Sequence, residues 1–249
     1  MKIKTIIAST VLLASSYTTA IAKEFGNFIV DLEVGGMQDG WSQSGADHNS
    51  ARFTGYAALD LTYKINDQFS IKSENDVNEE EYENGHTLFY THALKLIYEI
   101  NGFDLTLGGV VEDTDNDIPA DGDQQASYVT YEVGYTTSEH GIRFAVEYAD
   151  ELSDGSVTNS NQRYVEDITV YKIEKTFDAP FGIGKNLVVE LNWWDLDNAR
   201  DTYSADFEFN LADNYGVGLR VGENDGKGIF ANDVGSNRDF AAVRAFVKY

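Results

Sequence analysis

The chain has 249 residues, no cysteine, two prolines and a formal net charge of −24. An acidic balance of that size excludes binding nucleic acid or an anionic lipid surface through a basic patch. The absence of cysteine excludes a disulfide framework, so stability has to come from core burial or from closure of the chain on itself.

The first residues read as an export signal. Lys2 and Lys4 form a basic start, Ile6 to Ala14 a short apolar run, and Ala20-Ile21-Ala22 a small-residue cleavage site. The apolar run is too short to span a bilayer, which takes about 20 residues. Residues 1–22 are therefore expected to be a secretory signal peptide, and residues 23–249 one mature domain.

From there the chain alternates. Phe28, Val30, Leu32 and Val34 share one face against Ile29, Asp31 and Glu33, which is the period of a strand. A polar loop from Gly35 to Ser50 follows. The second strand runs from Arg52 to Lys64, and the turn Ile65-Asn66-Asp67-Gln68 leads to a third, Phe69 to Val77. An acidic loop, Asn78 to Glu83, precedes the fourth strand, Leu88 to Ile100. Asn101-Gly102 is a strong hairpin signal and opens the fifth, Phe103 to Glu112. An Asp-rich loop, Asp113 to Asp123, leads to strands Tyr128–Tyr135 and Ile142–Ala149 with a turn between them.

A Ser/Asn/Gly loop from Asp150 to Gln162 precedes the strand 164–177, whose phase stays open: Thr169, Tyr171, Ile173 and Phe177 share a parity with Asp167 and Lys175. Strands follow at Leu187–Trp194, Tyr203–Leu211 and Tyr215–Val221. The last, Asp239 to Tyr249, places Tyr249, Val247, Ala245, Val243 and Ala241 on one face and ends on an aromatic residue.

This makes about twelve strands, with ten or fourteen left open, joined by connections that alternate long and short. The terminal strand resembles the C-terminal signature of Gram-negative outer-membrane β-barrels, which end on an aromatic residue preceded by alternating apolar positions. Tyr249 stands where that family prefers Phe. The resemblance implies an all-β fold: a closed antiparallel transmembrane β-barrel with short periplasmic turns, longer extracellular loops and an outer-membrane location. A negative mean hydropathy fits, because each strand shows lipid only one face. The competing architecture is a soluble β-sandwich.

If the apolar faces meet lipid, parity defines the lumen. Its acids are Asp31, Glu33, Asp60, Glu74, Glu132, Glu147, Glu190, Asp206 and Glu208, and its bases Arg52, Lys72, Lys95, Arg143, Arg220 and Arg244. The same parity adds Asp76, Glu99, Asp104, Glu112, Lys64 and Lys248. Such charges either brace the wall by pairing or give a water-filled pore a cation preference. The expected function is a porin-like channel for passive diffusion of small hydrophilic solutes, cation-preferring or neutral. The alternative is a closed barrel that acts as a surface or adhesion element.

By size and strand count, and by Arg244 in the last strand, the chain also resembles the small monomeric oligosaccharide channels, including the oligogalacturonate and sialic-acid family. That family lines its pore with basic residues for acidic sugars. The acid-rich parity here points instead to neutral or cationic solutes. The partners implied are outer-membrane lipids and lipopolysaccharide, the barrel-assembly machinery through the last strand, and the solutes. No nucleic acid is expected.

No cofactor, metal site or enzyme activity is expected. Asp113 to Asp123 departs from a calcium loop, with Ile118 where the sixth position needs Gly and Gln124 where the twelfth needs Glu. Outer-membrane phospholipases resemble one another in a His-x-Ser pair on a strand. Only His48-Asn49-Ser50 fits that spacing, and it lies in a loop. Asp47-His48 is adjacent rather than strand-spaced, unlike the pair of the outer-membrane aspartyl proteases. His92 falls on the apolar face, where a bulge or an aromatic-girdle position is expected.

Overall fold

The computed structural model of the chain describes residues 27–39, 53–82, 85–116, 124–152, 167–179, 182, 184–196, 201–225 and 238–248. The expected signal peptide, Asp47, His48, Ser50, Arg52 and Tyr249 lie outside these residues.

Twelve antiparallel strands account for most of them: β1 (Phe28–Asp39), β2 (Phe53–Lys64), β3 (Phe69–Tyr82), β4 (Gly85–Ile100), β5 (Phe103–Asn116), β6 (Gln124–Thr136), β7 (Ile142–Glu151), β8 (Asp167–Asp178), β9 (Asn186–Leu196), β10 (Asp201–Asn210), β11 (Tyr215–Asp225) and β12 (Arg238–Lys248). Each pairs with its sequence neighbours. β12 also pairs with β1, from Asp31 opposite Lys248 to Asp39 opposite Phe240, which closes the sheet into a barrel. A closed sheet has no edge, so every strand has a hydrogen-bonding neighbour on both sides.

The strands run further than alternation shows. Residues 35–39, 78–82 and 113–116, expected in loops, continue β1, β3 and β5. The ladder carries them: Glu79 pairs with Leu88 and Gly55, and Asp113 with Tyr90 and Gln125. Past the apolar belt both faces of a strand are polar, so periodicity goes silent while backbone pairing continues.

The short connections collect at one end. Asn66 Oδ1 accepts from the backbone N–H of Gln68 at 2.8 Å and of Phe69 at 2.9 Å, closing the β2–β3 turn. Thr137 Oγ1 accepts from Ile142 N–H at 3.0 Å and holds the β6–β7 turn. In the β4–β5 hairpin, Asn101 (φ 50°) and Gly102 (φ 83°) are both left-handed, as a two-residue hairpin of primed type needs.

The outer face is apolar and bare, with Leu94, Leu105, Leu107, Val133 and Val146 all exposed. Val30 and Leu32 share that face on β1 but are buried. Near the short-turn end, aromatic pairs cross neighbouring strands: Phe28–Tyr63, Phe69–Tyr98 and Phe103–Tyr135, with centroids 4.8, 4.6 and 4.6 Å apart. Tyr171, Trp193 and Tyr203 stack further along the barrel, at 4.9 and 6.2 Å. These rings sit where interfacial aromatic girdles sit on a membrane barrel.

Gly102→Val puts a β-branched residue at positive φ, with its Cβ 2.9 Å from the Thr136 carbonyl. It should destabilise the folded barrel by about 1–3 kcal/mol, the cost of such backbone strain. Gly55→Ala adds a methyl with nothing within 4 Å and should be close to neutral. Urea unfolding in lipid vesicles, followed by tryptophan fluorescence, distinguishes the two.

Candidate functional site

Charged side chains on alternate positions of the strands point into the barrel. Contacts between strands that are not neighbours establish this, because they can close only through the interior. Lys95 on β4 lies 3.7 Å from Glu147 on β7. Arg143 on β7 lies 2.5 Å from Asp104 on β5. Arg244 on β12 lies 2.8 Å from Asp206 on β10.

The register explains the arrangement. Asp60 and Glu74 are directly opposite on β2 and β3, and Glu132 and Glu147 on β6 and β7. Like charges in opposite positions repel. A lysine settles each pair. Lys72 Nζ stands 2.7 Å from both Asp60 and Glu74, and Lys172 Nζ is 2.7 Å from Glu132 and 2.5 Å from Glu147. Lys95, 2.8 Å from Glu74, links the two groups, and Arg143 joins Glu132 to Asp104. The result is one alternating ladder of acids and bases from β2 to β8.

A second cluster lies on the other wall. Arg244 meets Asp206 at 2.8 Å, Glu33 at 3.4 Å and Glu208 at 3.7 Å. Arg220 adds a contact to Asp206 at 2.7 Å, and Lys248 bridges Glu208 at 2.8 Å and Asp31 at 3.6 Å. Tyr56 donates a hydrogen bond of 2.6 Å to Glu33. Small residues make room for these groups. A Cβ at Gly218 would run into Arg244, and one at Gly216 into Phe246.

Of the residues expected in the lumen, Asp31, Glu33, Asp60, Lys72, Glu74, Lys95, Glu132, Arg143, Glu147, Asp206, Glu208, Arg220 and Arg244 enter these two networks. Glu190 accepts from Asn192 Nδ2 at 2.8 Å. It also stands opposite Glu174, and among the described residues neither has a cation within ion-pair distance. Parity along 164–177 left Lys172 and Glu174 unassigned. The β7–β8 register places them: Lys172 lies opposite Ala145 and Glu174 opposite Arg143, on the inner face they share with Glu147.

His92 is on the outer face, as its parity implies, but it is not at a bulge: the pairing Asn75–His92–Val111 is continuous. It forms a polar cluster with Asn75 and Ser73 instead. His140 lies in the β6–β7 turn beside Glu139. Among the described residues no group of His, Asp and Glu side chains could hold a metal ion. The Asp-rich stretch is divided, with Asp113 to Asn116 in β5 and 117–123 outside the described residues.

A closed twelve-strand barrel with an apolar outer belt, aromatic girdles and a charged interior defines a porin-like β-barrel of the Gram-negative outer membrane. Solved outer-membrane proteins, a phospholipase and porins among them, resemble it in structure to different degrees. Outer membrane phospholipase A from Escherichia coli matches with a TM-score of 0.58 at 10% identity, covering 88% of this chain and 95% of that one. The KdgM porin, solved in complex with disordered oligogalacturonate, matches at 0.50 and 10%, covering 87% and 98%. A mutant of the Rh. blastica porin matches at 0.40 and 12%, covering 89% and 99%. At such identities the likeness is one of fold. No family model matches the sequence, and no curated protein does.

Arg244 is largely buried and neutralises several carboxylates, so Arg244→Met should leave Glu33 without its cation and Asp206 with Arg220 alone. Breaking a buried pair from one side costs about 3–5 kcal/mol. The loss should appear as a lower urea midpoint of the folded barrel, and Arg244→Met combined with Asp206→Asn should recover part of it.

Proposed function

We propose that the barrel is a narrow, water-filled channel for passive diffusion of small hydrophilic solutes, with a preference for cations or neutral molecules. The observation that carries this reading is the inner ladder. Its members are paired yet not dry: Lys72, Asp60, Glu74, Lys95 and Glu147 keep between 16% and 27% of their side-chain surface accessible. A charged wall that water reaches is what a permeation path needs.

The balance of that wall supports the preference. The β2–β8 ladder has five carboxylates against four cations, and the second cluster four against three. The opposed pair Glu174 and Glu190 lacks the bridging base that Lys72 and Lys172 give the other two. A cation in transit would fill that position. A polyanionic sugar would meet repulsion there. In this reading lipid and lipopolysaccharide surround the belt, and the assembly machinery recognises β12.

One observation favours the closed alternative, a surface element without transport. Lys95 and Glu147 meet across three strand intervals, which narrows the lumen at that level. Single-channel recording in a planar bilayer under a salt gradient decides between the two. Stable steps with a cation-favouring reversal potential support the channel, and silence from demonstrably folded protein favours the closed barrel. In the channel, Glu174→Gln with Glu190→Gln should lower the cation-to-anion permeability ratio. A charge about 4 Å from an ion in water is worth about 1 kcal/mol, or about five-fold in occupancy.

A further inference from the structure

On the lipid-facing side, Ser73 and Asn75 on β3 and His92 on β4 interrupt the apolar belt with a hydrogen-bonded cluster. Asn75 orients it. Its Nδ2 donates to the Leu59 carbonyl and to Ser73 Oγ, both at 3.1 Å. The amide oxygen therefore faces His92 Nδ1, at 3.2 Å. An amide oxygen only accepts, so Nδ1 of the neutral imidazole carries the proton and Nε2 presents an open lone pair. Ser73 Oγ accepts from Asn75 and keeps its own proton to give. Among the described residues neither Nε2 nor the Ser73 hydroxyl proton meets a partner.

The cluster sits within the apolar belt. His92 is six residues from Tyr98 of the short-turn girdle, and Asn75 six from Phe69. At about 3.3 Å per residue and a tilt of about 40°, that is about 15 Å of height in a belt about 25 Å tall. A polar group left open at that depth is costly, and such groups usually mark an interaction.

We propose that this face docks a second copy of the same chain about a two-fold axis, with Ser73 of each copy donating to His92 Nε2 of the other. A two-fold contact presents one patch to itself. A patch with one open donor and one open acceptor is satisfied twice over by that symmetry, which a patch of two donors or two acceptors is not. The surroundings suit close approach. Leu94, opposite Ser73, is 62% exposed, and its other neighbour, Gly109, has no side chain. On the β2 side Leu59 and Leu61 lie opposite Asn75 and Ser73, and Ala57 is the next residue along that face. Small residues beside hydrogen-bonding ones are the common composition of contacts between membrane segments. The proposal does not depend on the channel reading.

The chain has no cysteine, so a single introduced thiol reports alone. Leu94→Cys places it in the patch, and Val217→Cys places it on β11, away from the patch and also exposed. Oxidation in outer membranes should give a disulfide-linked dimer for Leu94→Cys and not for Val217→Cys. Adding His92→Leu to Leu94→Cys removes both inter-copy hydrogen bonds and should lower self-association about eight-fold. Heat-modifiable mobility on gels confirms folding of each variant. Equal cross-linking at the two sites, a yield unchanged by His92→Leu, or a monomer retaining a lipid in native mass spectrometry would overturn the proposal.

Discussion

The pairing of β12 with β1 is the constraint on which the rest of the structure depends. Hydrocarbon offers no partner to a backbone N–H or C=O, so a sheet that enters a membrane has to close. Eleven hairpin pairings can form between sequence neighbours, but the twelfth joins the two ends of the domain. It is set in register by side chains as well as backbone. Asp31 opposes Lys248 across the seam, and Arg244 reaches Glu33 from the same side.

Closure turns the two-residue period of a strand into two surfaces with opposite demands. Outside, residues meet lipid and the rule is apolar side chains with rings at the interfaces. Inside, twelve strands bring so many carboxylates together that several oppose one another directly. Lysines resolve two of those pairs, Lys72 from the same strand as Glu74 and Lys172 from the strand next to Glu147, and arginines serve the other wall. Glycines at 216 and 218 keep that wall thin where Phe246 and Arg244 lie against it. Lumen width and lumen charge are therefore not independent: the same cations that neutralise the wall also span the space.

The structures it resembles include both a porin and a phospholipase on the same architecture. Fold alone does not choose between such activities, and function rests on what the side chains form. Here the inner wall forms ion-paired ladders. The outer cluster has a histidine held by an asparagine, but Ser73 lies on the asparagine side and not on the imidazole's open nitrogen, so no base–nucleophile pair is assembled.

The alternation of Phe28 to Val34, Phe103 to Val111 and Tyr215 to Val221, with Asn101-Gly102 as a hairpin turn, was enough to read an antiparallel barrel of about twelve strands and to sort most charges to one face. Strand ends were not legible at 35–39, 78–82 and 113–116, because pairing there is held by backbone groups that carry no sequence signal. Lys172 and Glu174 were not placed because polar residues occupy both faces of their strand. Parity says which face a residue occupies, since that is a property of one strand. Which carboxylate a lysine reaches, which acids stay without a base, and that His92 finds Asn75 are properties of register and curvature. These arise only when neighbouring strands are aligned and the sheet is closed.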